Sequence, residues 1–313
     1  MGCADGGTPH AHTGLRTTAK RASPMVWVSS PWKIALMVFP AFILFTAFFI
    51  YPVVYAGGYS LTDAAGFSGA DFIGLDNYLA LGEDPFFRRS VTNTLLILVL
   101  SVTFLVPASF GLALLMQQRV RAAGALRALL FGPAIVAPIL VGLVWVFILD
   151  PRVGLLNHLL EPLGIPPVQW IGGDSLAPYS IAVVFIWASV GFAMTIFYAG
   201  LRLLPAEVME ASSLDGASRW QQLRYVTIPM MRETIGIVSL LLITNVFKIF
   251  ELVYMLTGGG PVHSSETLVS YMYFVTFTDQ RYGSGMAIAM VVFVIGALTS
   301  LAYLTLSRRG RLA

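Results

Sequence analysis

The sequence predicts an all-α membrane protein with six transmembrane helices, and three observations carry that prediction. Of the 313 residues, 57% are hydrophobic and only 11% are charged. The mean hydropathy of +0.78 lies well outside the range of soluble domains. Six apolar stretches, near 34–57, 90–117, 126–149, 179–203, 233–256 and 284–306, each supply the about 20 residues a spanning helix needs. The composition argues against nucleic-acid binding, because the basic residues flank apolar spans and form no dense stripe.

In chain order, residues 1–30 are polar and non-periodic and read as a disordered cytoplasmic tail; residues 31–313 form the membrane domain. His10 and His12 lack a third ligand and are most simply solvated. Cys3, the single cysteine, excludes an intrachain disulfide and lacks the preceding apolar segment of a lipoprotein signal. Pro107, Pro133 and Pro138 fall within spans, where neighbouring helices can satisfy the carbonyls they free.

Orientation follows from Lys and Arg. With the N-terminus inside, the inner segments carry Arg16, Lys20, Arg21 and Lys33, then Arg119, Arg121 and Arg127. Arg202, Arg219, Arg224 and Arg232 follow, and then Arg308, Arg309 and Arg311, which together make fourteen of the 19 basic residues. The outer segments carry Arg88, Arg89, Arg152 and Arg281, and Lys248 lies within a span. Both termini are therefore expected in the cytoplasm.

Between the fourth and fifth spans, residues 205–229 form a long polar interruption. Pro205 suits the first position of a helix. Glu207 and Glu210 lie in or near its opening turns, where the helix dipole favours negative charge. Asp215-Gly216 supplies a turn, and Ser218-x-x-Gln221 reads as a capping box that opens a second short helix. Trp220, Leu223 and Thr227 recur at helical spacing and form one apolar-leaning face, and Trp220 and Leu223 are expected to hold this knob to its own spans. Pro229 punctuates the end.

Glu210-Ala211-Ser212, three residues, Gly216, nine residues and Val226-Thr227-Ile228-Pro229 together resemble the Glu-Ala-Ala loop of bacterial ABC-importer permeases. Ser212, Val226 and Ile228 depart from the family's Ala, Ile and Leu, but each keeps size or apolarity. Phe72-Ile73-Gly74-Leu75-Asp76-Asn77-Tyr78, Asp84-Pro85-Phe86-Phe87 and Asn93-Thr94 resemble the first outer loop of the carbohydrate-type permeases. So does Leu256-Thr257-Gly258-Gly259-Gly260-Pro261, in a segment similar to the larger permease subunit of the maltose importer.

The resemblance implies the fold of a type I importer permease in the bacterial inner membrane, with a cytoplasmic coupling-helix loop. It implies half of a sugar or oligosaccharide pathway. Glycerol phosphate or a related polar solute is the alternative cargo, and a membrane scaffold or sensor is the alternative of another class. The implied partners are a second related permease, two ATP-binding subunits, an extracytoplasmic solute-binding protein, the sugar and membrane lipid. ATPase coupling is implied for Glu210, Ala211, Leu214, Asp215, Gly216 and Pro229. The substrate path is implied for Trp187, Ser189, Phe192, Asn245, Lys248, Ile249 and Glu251, and packing is the simpler reading for Phe192.

Lys248 and Glu251 are three residues apart, so they would share a helix face and could pair. An ion pair binding this subunit to its partner and a place on the substrate path weigh equally. No cofactor is expected, and no catalytic or metal residues. Gly258-Gly259-Gly260 lacks the Lys-Ser/Thr of a phosphate loop and reads as a tight turn. His158 and His263 are outside any metal-ligand spacing, and no Gly-x-Ser-x-Gly elbow occurs, so both histidines read as solvated loop residues.

Overall fold

The computed structural model describes Gly2 and residues 31–66, 69–117 and 123–309. The expected tail, with Cys3, His10 and His12, lies outside the described residues. The chain divides into two compact units, residues 1–52 and 53–313. In the first, helix α1 (Pro31–Phe45) continues through a π-helical turn, Thr46–Ile50, and none of its residues is buried. An apolar helix exposed all round is what a lipid solvent, not water, would tolerate.

The second unit begins within α2 (Tyr51–Tyr59) and continues with α3 (Asp76–Glu83), α4 (Pro85–Leu100) and α5 (Val106–Gln117). A π-helical turn, Ser101–Leu105, joins the last two. Next come α6 (Ala123–Ile135), α7 (Pro138–Leu149), α8 (Leu155–Leu160) and α9 (Ala177–Arg202). Helices α10 (Ala206–Leu214), α11 (Arg219–Gln221) and α12 (Ile228–Met230) form the knob. They lead to α13 (Arg232–Phe247), α14 (Glu251–Leu256), α15 (Leu268–Tyr273) and α16 (Tyr282–Arg309). Among the described residues no β-strand forms beyond one isolated bridge between Thr62 and Phe72.

Among the described residues, four helical stretches are long and apolar enough to cross a membrane, and six if each of two bent pairs counts as one. The second bent pair joins Arg219–Met230 to Arg232–Phe247 at 66°, and neither of the spans expected at 126–149 and 233–256 is one continuous helix. Residues 124–149 turn through 102° between Ile135 and Pro138. Pro138 supplies no amide hydrogen, so it restarts a helix more readily than it continues one. The fifth span stops at Phe247, and Lys248 to Phe250 leave helical geometry before α14 starts afresh at Glu251.

Helix α9 lies at the centre of the second unit. Ile181, Val184, Met194 and Phe197 are all but fully buried, and Phe110 meets Phe197 edge-on. At Gly191 the backbones of α6 and α9 touch: a Cβ there would lie 1.8 Å from the Leu130 carbonyl oxygen. A small residue at a crossing is the means by which helices without a hydrophobic drive between them gain close van der Waals contact.

Loops at the end of this unit away from the knob are stitched by side chains. Asn77 Nδ2 donates to the carbonyls of Ser60 and Thr62 at 2.9 and 2.8 Å, and its Oδ1 accepts from Ser284 Oγ at 3.0 Å. Asn93 Nδ2 donates to Ser264 and Glu266 carbonyls at 2.8 and 2.9 Å, while Thr94 Oγ1 accepts from the Leu268 amide at 3.1 Å. The polar positions of the first outer-loop segment thus satisfy loop backbone that would otherwise be buried unpaired.

Candidate functional sites: a surface knob and a cavity at two helix breaks

The knob is built by its caps. Pro205 precedes α10 in extended conformation (φ −62°, ψ 125°), so it is the N-cap and not, as expected, the first helical residue. Glu207 lies in the first turn, as its position in the sequence predicted. The helix closes on Asp215 and Gly216 (φ +80°), with the Gly216 amide donating to Ser213 O and the Ala217 amide to Ser212 O, both at 3.1 Å. That paired closure is a Schellman motif, and glycine takes its left-handed position without strain.

Ser218 and Gln221 form the anticipated capping box: Ser218 N–H donates to Gln221 Oε1 at 2.8 Å, and Gln221 N–H to Ser218 Oγ at 3.4 Å. Gln222 Nε2 then ties the two helices together, donating to Ser213 Oγ at 2.8 Å and Ala217 O at 3.3 Å. Trp220 was expected to hold the knob to its spans, but it is 70% exposed. Leu223 is half-buried, Thr227 and Met231 are buried, and Gln222 does the joining. Helicity also runs past Pro229 to Met230, so the break falls two residues later, at Met231. Glu210, Ala211, Asp215 and Gly216 are exposed, and Leu214 is 90% exposed. The knob thus presents an acidic helix with apolar side chains at its surface, which is the composition of a docking face.

The second site is a cavity of about 410 Å³ where the two broken spans face α9. Pro133 and Pro138 line it from the first break; Phe185, Ser189 and Phe192 line it from α9. Asn245, Lys248, Ile249 and Glu251 line it from the second break. The break is held open by hydrogen bonds: Lys248 N–H donates to Asn245 O at 3.1 Å, and Ile249 N–H to Val246 O at 3.2 Å. Thr267 Oγ1 pins it from outside, donating to Ile249 O at 2.9 Å.

Lys248 and Glu251 do not pair. Because α13 ends before Lys248 and α14 begins at Glu251, the helical register that would bring them together is absent. Both are exposed, and among the described residues no ion pair joins them. Phe192 is 44% exposed and faces the cavity, so it is not simple packing. Trp187 is not among the lining residues; it is 45% exposed and stands edge-on to Trp145, with centroids 5.4 Å apart. The structure therefore brings together six of the seven residues expected on the path and sets Trp187 to one side.

A third feature escaped sequence reasoning. His263 is not a solvated loop residue: its side chain is 22% exposed, its Nδ1 is 3.4 Å from Glu266 Oε1, and its ring lies against Phe86 and Phe274. Glu266 is buried and also accepts from Ser270 Oγ. Burial raises its carboxyl above the usual 4.5, and the hydrogen bonds from Ser270 and His263 offset part of that rise. The spacing His263-x-x-Glu266 was the only local signal. His158, by contrast, is solvated as expected, 3.7 Å from Glu161, though it lies in the short helix α8 and not in a loop.

A bundle of apolar helices, two of them broken around a polar-edged cavity, with a capped knob between spans, defines a membrane permease. The particular family follows from sequence comparison: residues 79–312 match the family model described as binding-protein-dependent transport system inner membrane component, and the chain belongs to that family. It is 34% identical to a probable ABC transporter permease protein of Bacillus subtilis, YurN, over 77% of this chain and 84% of that protein. It is 29% identical to the trehalose/maltose transport system permease protein MalF of Thermococcus litoralis, covering 87% of this chain and 92% of the other. The fold matches a crystal structure of a bacterial ABC transporter described as importing alginate, with a TM-score of 0.78. That match has 24% identity and covers 89% of this chain and 96% of that one.

Proposed function

We propose that the chain is one permease half of an ATP-driven importer of a sugar or oligosaccharide, and that the 410 Å³ cavity lies on the solute's path. The observation that carries this reading is the coincidence of the helix breaks at 136–137 and 248–250 with the polar groups Ser189, Asn245, Lys248 and Glu251. Broken helices at such a site expose backbone and side-chain hydrogen-bonding groups that a continuous helix would consume. Phe192 offers an aromatic face, so the cavity has the mixed apolar and hydrogen-bonding surface that holds sugars. The trehalose/maltose relative supports a sugar as cargo. Ile249 shapes the wall, and Trp187 supports α9 through Trp145.

The rest of the reading concerns assembly. A second related permease would close the exposed side of the cavity, and an extracytoplasmic binding protein would deliver the solute. Two ATP-binding subunits would grip the knob through Glu210, Ala211, Leu214, Asp215 and Gly216, with Pro229 at its base. The Lys and Arg bias supports cytoplasmic placement of the knob and both termini.

Asn245→Ala and Lys248→Met test the path in proteoliposomes supplied with loaded binding protein. Each is expected to cut uptake by about tenfold or more, the scale of one lost hydrogen bond to a charged or well-placed group, while basal ATP hydrolysis persists. Wild-type uptake in both variants would move the path elsewhere. The unpaired Lys248 also favours an anionic solute such as glycerol phosphate, and competition by that compound in the same assay would select this cargo over a neutral sugar.

A further inference from the structure

Two guanidinium groups converge on one phenol where the bundle meets the knob. Arg127, in α6, donates to Tyr198 Oη at 2.7 Å, and Arg202, the last residue of α9, donates to the same oxygen at 3.2 Å. Both also lie over the Tyr198 ring, at 4.1 and 5.8 Å from its centroid. Groups sharing one acceptor atom are close enough to repel strongly in a partly desolvated place, and an anion between or beside them removes that repulsion. Among the described residues no carboxylate pairs with either arginine. The Nε of Arg127 is buried without an acceptor, so the cluster has donors to spare and no counter-charge.

The surroundings say what kind of anion fits. Gln117 Nε2, at the end of α5, donates to Leu201 O at 3.3 Å, and the knob starts at Ala206, so the cluster sits at the level where spans end. Leu129, two residues from Arg127, is 73% exposed, and Leu203, beside Arg202, is 83% exposed. Cations flanked by bare leucines suit an amphiphile. We infer that Arg127, Arg202 and Tyr198 bind the phosphate of an acidic phospholipid in the leaflet on the knob's side, with its acyl chains against Leu129. Arginine is the better cation for this role, because its planar fork can hold phosphate oxygens in pairs. The inference needs the bundle to sit in a membrane, but not any particular solute.

Native mass spectrometry of the purified transporter complex, offered phosphatidylglycerol and phosphatidylcholine together, tests it. The wild type is expected to retain phosphatidylglycerol over phosphatidylcholine by about tenfold or more, and Arg127→Gln/Arg202→Gln to bring the two near parity. Arg202→Gln alone, at an exposed position, gives the same direction should the double variant fail to assemble. Arg224→Gln, which removes a cation from the knob but not from the cluster, is expected to keep the preference. Equal preference in wild type and cluster variants overturns the proposal, as does an equal loss in Arg224→Gln, which would mean diffuse charge attraction. Displacement by millimolar inorganic phosphate would make this a free-phosphate site. A preference seen only after the ATP-binding subunits are stripped away would assign the arginines to a partner's carboxylate. The lipid readout does not depend on uptake, so its failure leaves the sugar-import reading untouched, and the reverse.

Discussion

Glu266 is buried at the end of the second unit away from the knob, between His263 and Ser270, in a segment whose backbone is also clasped by Asn93. A buried carboxyl prefers its neutral form, so the folded protein holds a proton there that the unfolded chain releases. The folded state therefore binds more protons than the unfolded state from about the usual 4.5 upward. Its stabilising contribution is largest at the acid end of that window and is lost as pH rises through the raised value. Thermal unfolding of purified protein is expected to show a melting temperature that falls with rising pH in this range. Glu266→Gln should flatten that slope, since an amide does not titrate. An unchanged slope in the variant would mean that another group sets the pH response. Lys248 and Glu251 teach the complementary lesson. Three-residue spacing implies contact only while the helix persists, and here the backbone leaves the helix between them.

At the scale of elements, caps and breaks decide what is presented. The knob is ordered by local chemistry alone: the Schellman closure at Gly216, the Ser218–Gln221 box and the Gln222 bridge are all within a few residues of each other. Gly216→Val places a β-branched side chain at φ +80°, which costs about 1–2 kcal/mol or more and unseats the amide of Ala217 from Ser212. On the proposed function, complexes carrying Gly216→Val are expected to lose most of their bound ATPase on purification while the spans stay folded, as read by quantitative subunit stoichiometry and circular dichroism. Full retention would show that the turn tolerates the residue. The breaks at residues 136–137 and 248–250 have a different origin. Pro138 and the Thr267–Ile249 hydrogen bond hold them, and they bring distant polar groups to one cavity.

For the whole molecule, the second unit separates its roles along its length. One end carries loops pinned by Asn77, Asn93 and the Glu266 cluster; the middle holds the cavity; the other end carries the Arg127–Arg202 pair and the knob. Helix α9 runs through all three levels and packs backbone to backbone against α6 at Gly191, and on the proposed function it would carry displacement at the knob to the cavity wall. On the proposed function, Glu210→Ala removes one exposed carboxylate from the surface offered to the ATPase. A charge-assisted hydrogen bond there contributes about 1.5–3 kcal/mol, enough to loosen a small interface without dissolving it. Substrate-stimulated ATP hydrolysis is expected to fall several-fold or more, with basal hydrolysis retained, when each is measured with and without loaded binding protein. Wild-type stimulation with full ATPase retention would remove Glu210 from the coupling contact.

Sequence alone determined what depends on composition and short range. Apolar runs specify spanning helices because lipid leaves backbone groups no other partner, and the knob's turns and capping box follow from Asp215, Gly216, Ser218 and Gln221 acting on their immediate neighbours. The family, too, was legible there, in the spacing from Glu210 through Gly216 to Pro229. The tertiary structure decided the rest. Which spans break, that Trp220 faces outward while Thr227 and Met231 are buried, and that Trp187 turns toward Trp145 all depend on neighbours remote in sequence. Periodicity assigns a residue to a face of a helix, but only packing decides what that face meets; the cavity and the paired arginines exist because α6, α9, α13 and α14 come together where no local signal announces it.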